Sequence, residues 1–372
     1  VLGAGRVGAA IALDLAKDTE FNVTVADVSE QALARLRTKG RVATQRRDLA
    51  SREEVHAAVQ TADFVVGAVP GFMGFDTLRT VIEAGKDVVD ISFFEEDPLE
   101  LDALAKARGV TAIMDCGVAP GCDNLILGHA QRVLDRVERF ECLVGGLPTI
   151  RTWPYEYKAV FSPIDVLEEY TRPARYVARG EVVTMPALSE VELIDFPGVG
   201  TLEAFNSDGL RSLLRTVDAP DMKEKTLRYP GHVEKMCVLR ETGFFSKDPL
   251  TIGDARISPL EVTTRLLFPM WQMEEEDEDF TIMRVTVEGV KDGRTCRFVY
   301  DLLDRYDRVT KTTSMARTTG YTCAAAVRML AAGLFRRKGV FPPELVGREE
   351  GCWEFIRENL EERGVFFTEK EG

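Results

Sequence analysis

The chain opens VLGAGRVG, with Gly3, Gly5 and Gly8 in G-x-G-x-x-G spacing. An apolar run at helical spacing, RVGAAIALDLAKD, follows at once. A glycine loop between a β-propensity run and a helix leaves few folds open. The pattern then repeats. NVTVAD reads as a strand, and SEQALARLRTKG as a helix with Ser29 as N-cap. RVATQRRD is a strand. SREEVHAAVQ is a helix opened by Ser51, with Glu54 in capping-box position. ADFVVGAVP, a helix over 74–84, KDVVDIS, PLELDALAKARG and VTAIMDCG continue the alternation. Strands alternating with helices predict βαβ units, and the near-continuous apolar strands FVVGAV and DVVDI suit a sheet covered on both faces. The expectation for residues 1–118 is α/β: a Rossmann-type, doubly wound parallel sheet. The chain starts without Met inside this motif, so a few residues of the first strand are expected to be missing from it, and no secretory leader is read there.

After Asn124 the pattern changes to short β-like runs rich in aromatics and prolines. TIMRVTVEGVKDGRTCRFVYDLL predicts a hairpin turning at Lys291-Asp292-Gly293. Residues 119–315 are therefore expected to form an inserted α+β substrate domain containing an antiparallel sheet. GYTCAAAVRMLAAGL and PPELVGREEGCWEFIRENLEERG read as helices, and 316–372 is expected to return to the first domain.

Net charge is −14, which argues against non-specific nucleic-acid binding. No apolar run approaches the roughly 18 residues that span a bilayer, so no membrane partner is expected. The seven cysteines lack C-x-x-C spacing and a nearby His at ligand spacing. They are read as reduced thiols of a cytoplasmic protein, with no metal site. The acidic run EEEDEDF, from Glu274 to Phe280, is read as a solvated loop.

Chemistry in an open α/β sheet gathers beyond the carboxyl ends of the strands. At the first turn, Gly3 permits the tight bend, Gly5 lets backbone approach a pyrophosphate, and Gly8 allows close helix packing. Arg6 and Val7 open the helix whose N-terminus favours an anion. Asp27 ends the second strand and can accept both ribose hydroxyls of NAD, with Val28 beside it. No compensating cation stands on the same strand end, so NAD is expected over NADP. Asp48 and Leu49 follow the third strand. Ala68, Val69 and Pro70 close the fourth, and Ile91 and Ser92 the fifth. Asp115, Cys116 and Gly117 close the sixth, in the stretch MDCGVAPGCDN. That stretch is either a plain strand-to-helix connection with a buried thiol or part of the ligand edge. Its position favours the edge, with Cys116 lining the nicotinamide pocket but not acting as a nucleophile.

Several motifs together carry a resemblance: GAGRVG, GAVPGFMG, VVDIS, DCGVAPGCDN, VGGLP (144–148), YKAVFSP (157–163), LEAFNSDGLRSL (202–213) and TLRYPGH (226–232). The chain resembles the saccharopine dehydrogenase-like family, closest to its L-lysine 6-dehydrogenase branch. The resemblance implies an N-terminal NAD(P) domain, an inserted substrate domain also used for dimer contacts, and a C-terminal return. It implies oxidation of the ε-amine of L-lysine to the 6-semialdehyde with release of ammonia. Saccharopine-forming relatives act on a larger tricarboxylate and carry an arginine in the segment matching Asn206 to Gly209. Here that segment is Asn-Ser-Asp-Gly, and Asp208 suits a cationic amine.

Within the second domain, Arg228 is the expected anchor for a carboxylate, against the reading of a surface arginine. Arg211 is a reserve anchor. His232 is a candidate base or proton relay, against a structural role. Tyr157 and Lys158 are candidate catalytic contacts, against a buried edge with a snorkelling lysine. Asn206 and Tyr229 complete the expected substrate contacts, while His56 and His129 read as structural. Hydride transfer needs no protein nucleophile. The expected partners are lysine or a related amino acid and further copies of this chain, as a homodimer or larger. The competing readings are a saccharopine dehydrogenase (reductase) or related diamino-acid dehydrogenase, and an NAD-binding regulator without catalysis.

Overall fold

The computed structural model describes residues 1–274 and 276–372. The chain forms two compact units. The first comprises 1–137, 289–296 and 308–367, and the second 138–288, 297–307 and 368–372. The change from one compact unit to the other comes at 137/138, 19 residues beyond the 118/119 expected for the domain boundary. The helix Cys122–Val133 stays with the first unit, and the return begins at 308 rather than 316.

The nucleotide-side strands of the first unit run parallel. Thr24–Asp27 pairs with Ala43–Arg46, and Phe64–Gly67, Asp87–Asp90, Thr111–Ile113 and Gly339–Phe341 follow side by side. Leu2 bridges the two groups, in register with Ala26 on one side and Gly67 on the other. The expected first strand is cut to this single residue, anchored by Leu2 N–H on the Val66 carbonyl at 2.8 Å and Gly3 N–H on the Ala26 carbonyl at 2.9 Å. Val65, Val88, Ala112 and Val340 are buried in one core with Phe75, Leu78 and Ile82 of the helix Gly71–Glu83. Apolar side chains on both faces of a strand demand cover on both faces.

Helix caps follow the sequence. The Ser29 hydroxyl accepts from Ala32 N–H at 3.2 Å, and that of Ser51 from Glu54 N–H at 3.3 Å. The reciprocal half of the second capping box is replaced, because Glu54 pairs with Arg47 at 2.9 Å. The returning helix Ser314–Ala331 lies on the first helix, Arg6–Leu15. A side chain at Gly320 would meet Ile11 at 3.2 Å. Asp14, buried on that first helix, accepts from Arg328 and Arg363 at 2.7 Å each. Those two cations hold its carboxyl below the usual range against the opposing pull of burial.

The second unit is built on a mixed sheet, mostly antiparallel with one parallel pair among the described residues. Arg136–Pro148 runs parallel to Asp221–Arg228, which pairs antiparallel with Gly200–Asn206. Glu192–Phe196 lies at one edge. Toward the other edge come the hairpin strands Asp279–Lys291 and Arg294–Arg305, then Phe367–Glu371. The hairpin turns at Asp292 and Gly293, with φ of 51° and 73°, the left-handed pair a two-residue turn requires. The final strand has no counterpart in the sequence reading, and Gly372 exchanges two backbone bonds of 2.9 Å with Arg297. The helices Pro163–Thr171, His232–Thr242 and Pro259–Trp271 enclose a core of Tyr157, Tyr170, Phe205, Met236, Leu267 and Trp271.

The acidic run departs from a solvated loop, and its Glu275 lies outside the described residues. Asp279 is fully buried, and Asp277 binds Lys158 at 2.5 Å. All seven cysteines are free thiols. Among the described residues no helix is long and apolar enough to cross a membrane, and no group of side chains could hold a metal ion.

Candidate functional site

The glycine loop of the first unit has the shape its spacing predicts. Gly3 takes φ of 111°, and a β-carbon there would sit 2.3 Å from the Ala68 carbonyl oxygen. One at Gly8 would sit 2.3 Å from the Gly3 oxygen, whereas one at Gly5 would meet nothing within 4 Å. Gly5 therefore faces open space just where the helix Arg6–Leu15 begins, and it offers that helix no side-chain cap. A helix start without a side-chain cap, behind a position open to solvent, suits a phosphate.

Asp27 is held ready beside them. One carboxylate oxygen accepts from Ala4 N–H at 2.7 Å and the other from Ser29 N–H at 2.7 Å. Each oxygen keeps a lone pair for a ribose hydroxyl. Val28 is exposed, and Asp48 accepts from Ala50 N–H at 3.1 Å. Leu49 and Val69, expected at the coenzyme, are instead buried in the core of this unit. Pro70 starts the helix that follows, and Ala68 is half-buried. Ser92 N–H donates to Asp90 at 2.7 Å, and Ile91 N–H to the Gly67 carbonyl at 3.0 Å. These residues fit a dinucleotide, with the amides of the first turn for its pyrophosphate and Asp27 for its ribose.

The MDCGVAPGCDN stretch is a knot of backbone. Gly117 N–H donates to the Pro120 carbonyl and Cys122 N–H to the Gly117 carbonyl, both at 3.0 Å. Gly121 takes φ of 144°, and a β-carbon there would lie 1.9 Å from the Gly117 oxygen. The side chains of Asp123 and Asn124 both accept from Gly121 N–H, at 2.9 and 3.1 Å, and start the next helix. Asn124 also donates to the buried Glu344 at 2.9 Å. Asp115 and Cys116 are buried. Cys116 therefore does not line an accessible pocket, as expected from sequence, but lies beneath the edge. Burial, with Cys122 and Asp115 nearby, drives its thiol pKa up, so it is no nucleophile.

In the second unit, Arg228, Tyr170 and His232 form one buried chain. Arg228 Nε–H donates to the Tyr170 hydroxyl at 3.0 Å, and that hydroxyl lies 3.0 Å from His232 Nε2. His232 Nδ1 lies 2.9 Å from the Tyr155 carbonyl oxygen. A carbonyl only accepts, so Nδ1 carries the proton and Nε2 takes the Tyr170 O–H. Burial, then the charge of Arg228, lowers the His232 pKa to about 3. His232 is thus a neutral, doubly bonded link. Arg228 donates further to Glu169 at 2.5 Å and to the Leu227 carbonyl at 2.9 Å, with the Tyr157 ring 4.6 Å from its guanidinium. Its fork serves this chain's own groups instead of standing open as a carboxylate anchor.

The other expected contacts sort the same way. Lys158 is bound by Asp277, and Asp208 is gripped by Arg175 through both oxygens at 2.9 and 2.8 Å, so neither faces a substrate charge uncompensated. Tyr229 donates to the Pro148 carbonyl at 2.9 Å under the Arg151 guanidinium. Arg211 is half-buried with φ of 42°. The Tyr157 hydroxyl and the Asn206 Oδ1 are buried without a hydrogen-bond partner among the described residues. Glu169, Tyr170, Arg175 and Glu203 were missed by the sequence reading. Glu203 accepts from the amides of Gly231 and Val233, at 2.9 and 2.5 Å, and caps the helix that begins at His232. The one signal available for Glu169 was that a buried arginine needs a carboxylate.

Two family models match along the chain. A saccharopine dehydrogenase NADP binding domain covers residues 1–113, and a saccharopine dehydrogenase C-terminal domain covers 117–365. The chain belongs to the saccharopine dehydrogenase family. The coenzyme class of its first domain is accordingly a nicotinamide dinucleotide. Saccharopine dehydrogenase [NADP(+), L-glutamate-forming] of Saccharomyces cerevisiae is 23% identical, over 92% of this chain and 93% of that protein. Carboxynorspermidine synthase of Vibrio cholerae is also 23% identical, over 92% and 91%. The mitochondrial alpha-aminoadipic semialdehyde synthase of Mus musculus is 24% identical over 99% of this chain but only 47% of that protein. Against the Bos taurus protein of that name the chain spans 30% of its length. Among solved structures, apo saccharopine dehydrogenase from Saccharomyces cerevisiae superposes with a TM-score of 0.78 at 21% identity, covering 100% of this chain and 98% of that one. Homospermidine synthase from Legionella pneumophila reaches 0.70 at 11% identity, covering 100% and 90%. Both show a shared fold.

Proposed function

We propose that this member of the saccharopine dehydrogenase family is an NAD-dependent oxidoreductase that oxidises the ε-amine of L-lysine, yielding 2-aminoadipate 6-semialdehyde and ammonia. The observation that carries the substrate reading is a balance of charge. Arg228, Arg175, Lys158 and Lys225 of the second unit are each matched by a carboxylate of the chain, namely Glu169, Asp208, Asp277 and Glu192. A tricarboxylate such as saccharopine would have to compete with those carboxylates for the same cations. A substrate with one carboxylate and two amines asks for less positive charge. Tyr157 and Asn206 keep a neutral hydroxyl and a neutral carbonyl oxygen uncommitted, and polar groups without partners suit a polar ligand.

Bound at the first unit, the nicotinamide supplies the hydride acceptor. The chain's own contribution is positional: Asp27 fixes the ribose and the glycine loop fixes the pyrophosphate. Loss of hydride from C6 and of a proton from nitrogen leaves an imine, and added water releases ammonia and the aldehyde. The names of the yeast and Vibrio relatives favour a second reading, in which the amine partner is larger, as in saccharopine.

Incubation with NAD and one amine at a time decides between them. The panel is L-lysine, L-ornithine, saccharopine and norspermidine, followed by reduced coenzyme and free ammonia. Lysine alone should give both signals in equal amounts. Turnover that requires saccharopine and yields glutamate instead of ammonia supports the second reading and removes the first.

A further inference from the structure

We infer that Thr313, at the start of the helix Ser314–Ala331, holds the carboxylate of the amino-acid substrate, its hydroxyl donating to one carboxylate oxygen at the positive end of that helix. The inference rests on the amine-dehydrogenase reading above and deepens it. Arg228, Arg175, Lys158 and Lys225 of the second unit already have carboxylates of the chain as partners, so a substrate carboxylate needs another anchor.

Thr313 is the N-cap residue of an 18-residue helix, yet its side chain makes no capping bond. The residue is 6% exposed, and its Oγ1 is buried without a hydrogen-bond partner among the described residues. A buried hydroxyl in that state carries a desolvation penalty of about 1–3 kcal/mol, which a ligand that completes it relieves. The setting favours an anion. A helix of this length presents roughly half a positive charge at its start, and no acidic residue in the first turn offsets it.

Position narrows the anion further. The helix runs parallel to Arg6–Leu15. A β-carbon at Gly320 would lie 3.4 Å from the Val7 carbonyl oxygen and 3.2 Å from Ile11, and further along Arg328 reaches Asp14 and Asp18 at 2.7 Å each. Counting back along both helices, Ser314 stands roughly one turn ahead of Arg6, level with the glycine loop. Between Ser314 and Gly320, Thr319 flanks the end of another strand, since its Cγ2 would lie 3.1 Å from a β-carbon at Gly117. The glycine loop and Gly117 both belong to the carboxyl edge of the parallel sheet, where ligands of such sheets bind. The pyrophosphate of a dinucleotide takes the start of Arg6–Leu15. The start of the second helix suits the other anion of the reaction, the carboxylate of the substrate.

Binding measured without turnover tests this. L-norleucine keeps the α-amine and carboxylate of lysine but has no ε-amine to oxidise, and pentylamine is the same molecule without the carboxylate. Each is titrated by calorimetry, with NAD present, into the full chain and its Thr313→Val and Thr313→Ser variants. Valine removes only an orphaned hydroxyl, so that variant should melt no lower than wild type. Thr313→Val should weaken norleucine by about tenfold, the scale of one hydrogen bond to a charged group. Thr313→Ser should weaken it clearly less, and pentylamine should bind all three proteins alike. If Thr313→Val leaves norleucine unchanged or weakens both compounds by the same factor, or if wild type binds norleucine no better than pentylamine, Thr313 is no carboxylate anchor while the lysine reading stands. If wild type binds saccharopine and neither of these, the lysine reading falls. The anchor is then upheld by a tenfold loss of saccharopine binding in Thr313→Val and overturned by its absence. If wild type binds none of the three, both fall.

Discussion

Arg228 and His232 are tied to one another through a single hydroxyl, that of Tyr170, which accepts from Arg228 Nε–H at 3.0 Å and lies 3.0 Å from His232 Nε2. Burial raises the pKa of this phenol, so it stays protonated and keeps donating. Substituting Tyr170→Phe conserves the ring but orphans a buried cation donor and a buried imidazole nitrogen. The expected loss of stability is about 2–4 kcal/mol, from two unsatisfied groups at roughly 1–3 kcal/mol each, partly relieved by relaxation. Urea unfolding of the two proteins compares them directly. A change under about 0.5 kcal/mol would mean the chain of bonds is dispensable.

Acid sensitivity follows from His232, whose pKa falls from 6.5 to about 3 on folding. The unfolded chain takes up the proton first as pH drops. The stability contributed is therefore full above pH 6.5 and drains away as pH falls toward 3. At most it amounts to a few kcal/mol, since one pKa unit is about 1.4 kcal/mol. Replacing His232 by Gln keeps an acceptor for Tyr170 and removes the titration. Unfolding free energies of the variant between pH 5 and 6.5 should have a flatter slope than wild type, and parallel slopes would speak against a neutral buried His232.

On the proposed reading, Asp27 accepts from the ribose hydroxyls of the coenzyme. Removing its carboxylate in Asp27→Ala should raise KM for NAD by roughly tenfold to a hundredfold, the worth of one or two charge-assisted bonds. The KM for the amine should move little. Steady-state kinetics with each substrate varied in turn separates the two effects.

Lysine must lose a proton from its ε-amine before the C–H bond is oxidised, and that amine has a pKa near 10.4. The value of kcat/KM for lysine should therefore climb about tenfold per pH unit through the neutral range, until another group titrates. A flat profile from pH 7 to 9 would indicate a substrate already neutral at its nitrogen.

The nucleotide half of the protein was legible because its signals are local. Gly3, Gly8, Asp27 and Ser29 act on backbone within a turn or a strand end, and spacing along the chain is enough to reveal them. The polar chain of the second unit was not. Tyr170 meets His232 across 62 positions of sequence, and Arg228 meets Glu169 across 59. Nothing at either end announces the other. Arg228 and His232 were recognised as unusual, but the partners that fill their bonding capacity were not. Asp277 shows the same effect, since an acidic run reads as solvated until Lys158 is placed against it.

The split path of the first unit bears on how the protein is made. A ribosome delivers the glycine loop first, but the strand Gly339–Phe341 that flanks Thr111–Ile113 emerges after all of the second unit except its final residues 368–372. So does the helix Ser314–Ala331, which supplies Arg328 to the buried Asp14. Until then Thr111–Ile113 exposes a bare edge and Asp14 lacks its guanidinium. The nascent nucleotide domain must wait, partly open, for its own last third, and a truncated gene ending near 137 would yield a chain with an unpaired strand edge, prone to self-association.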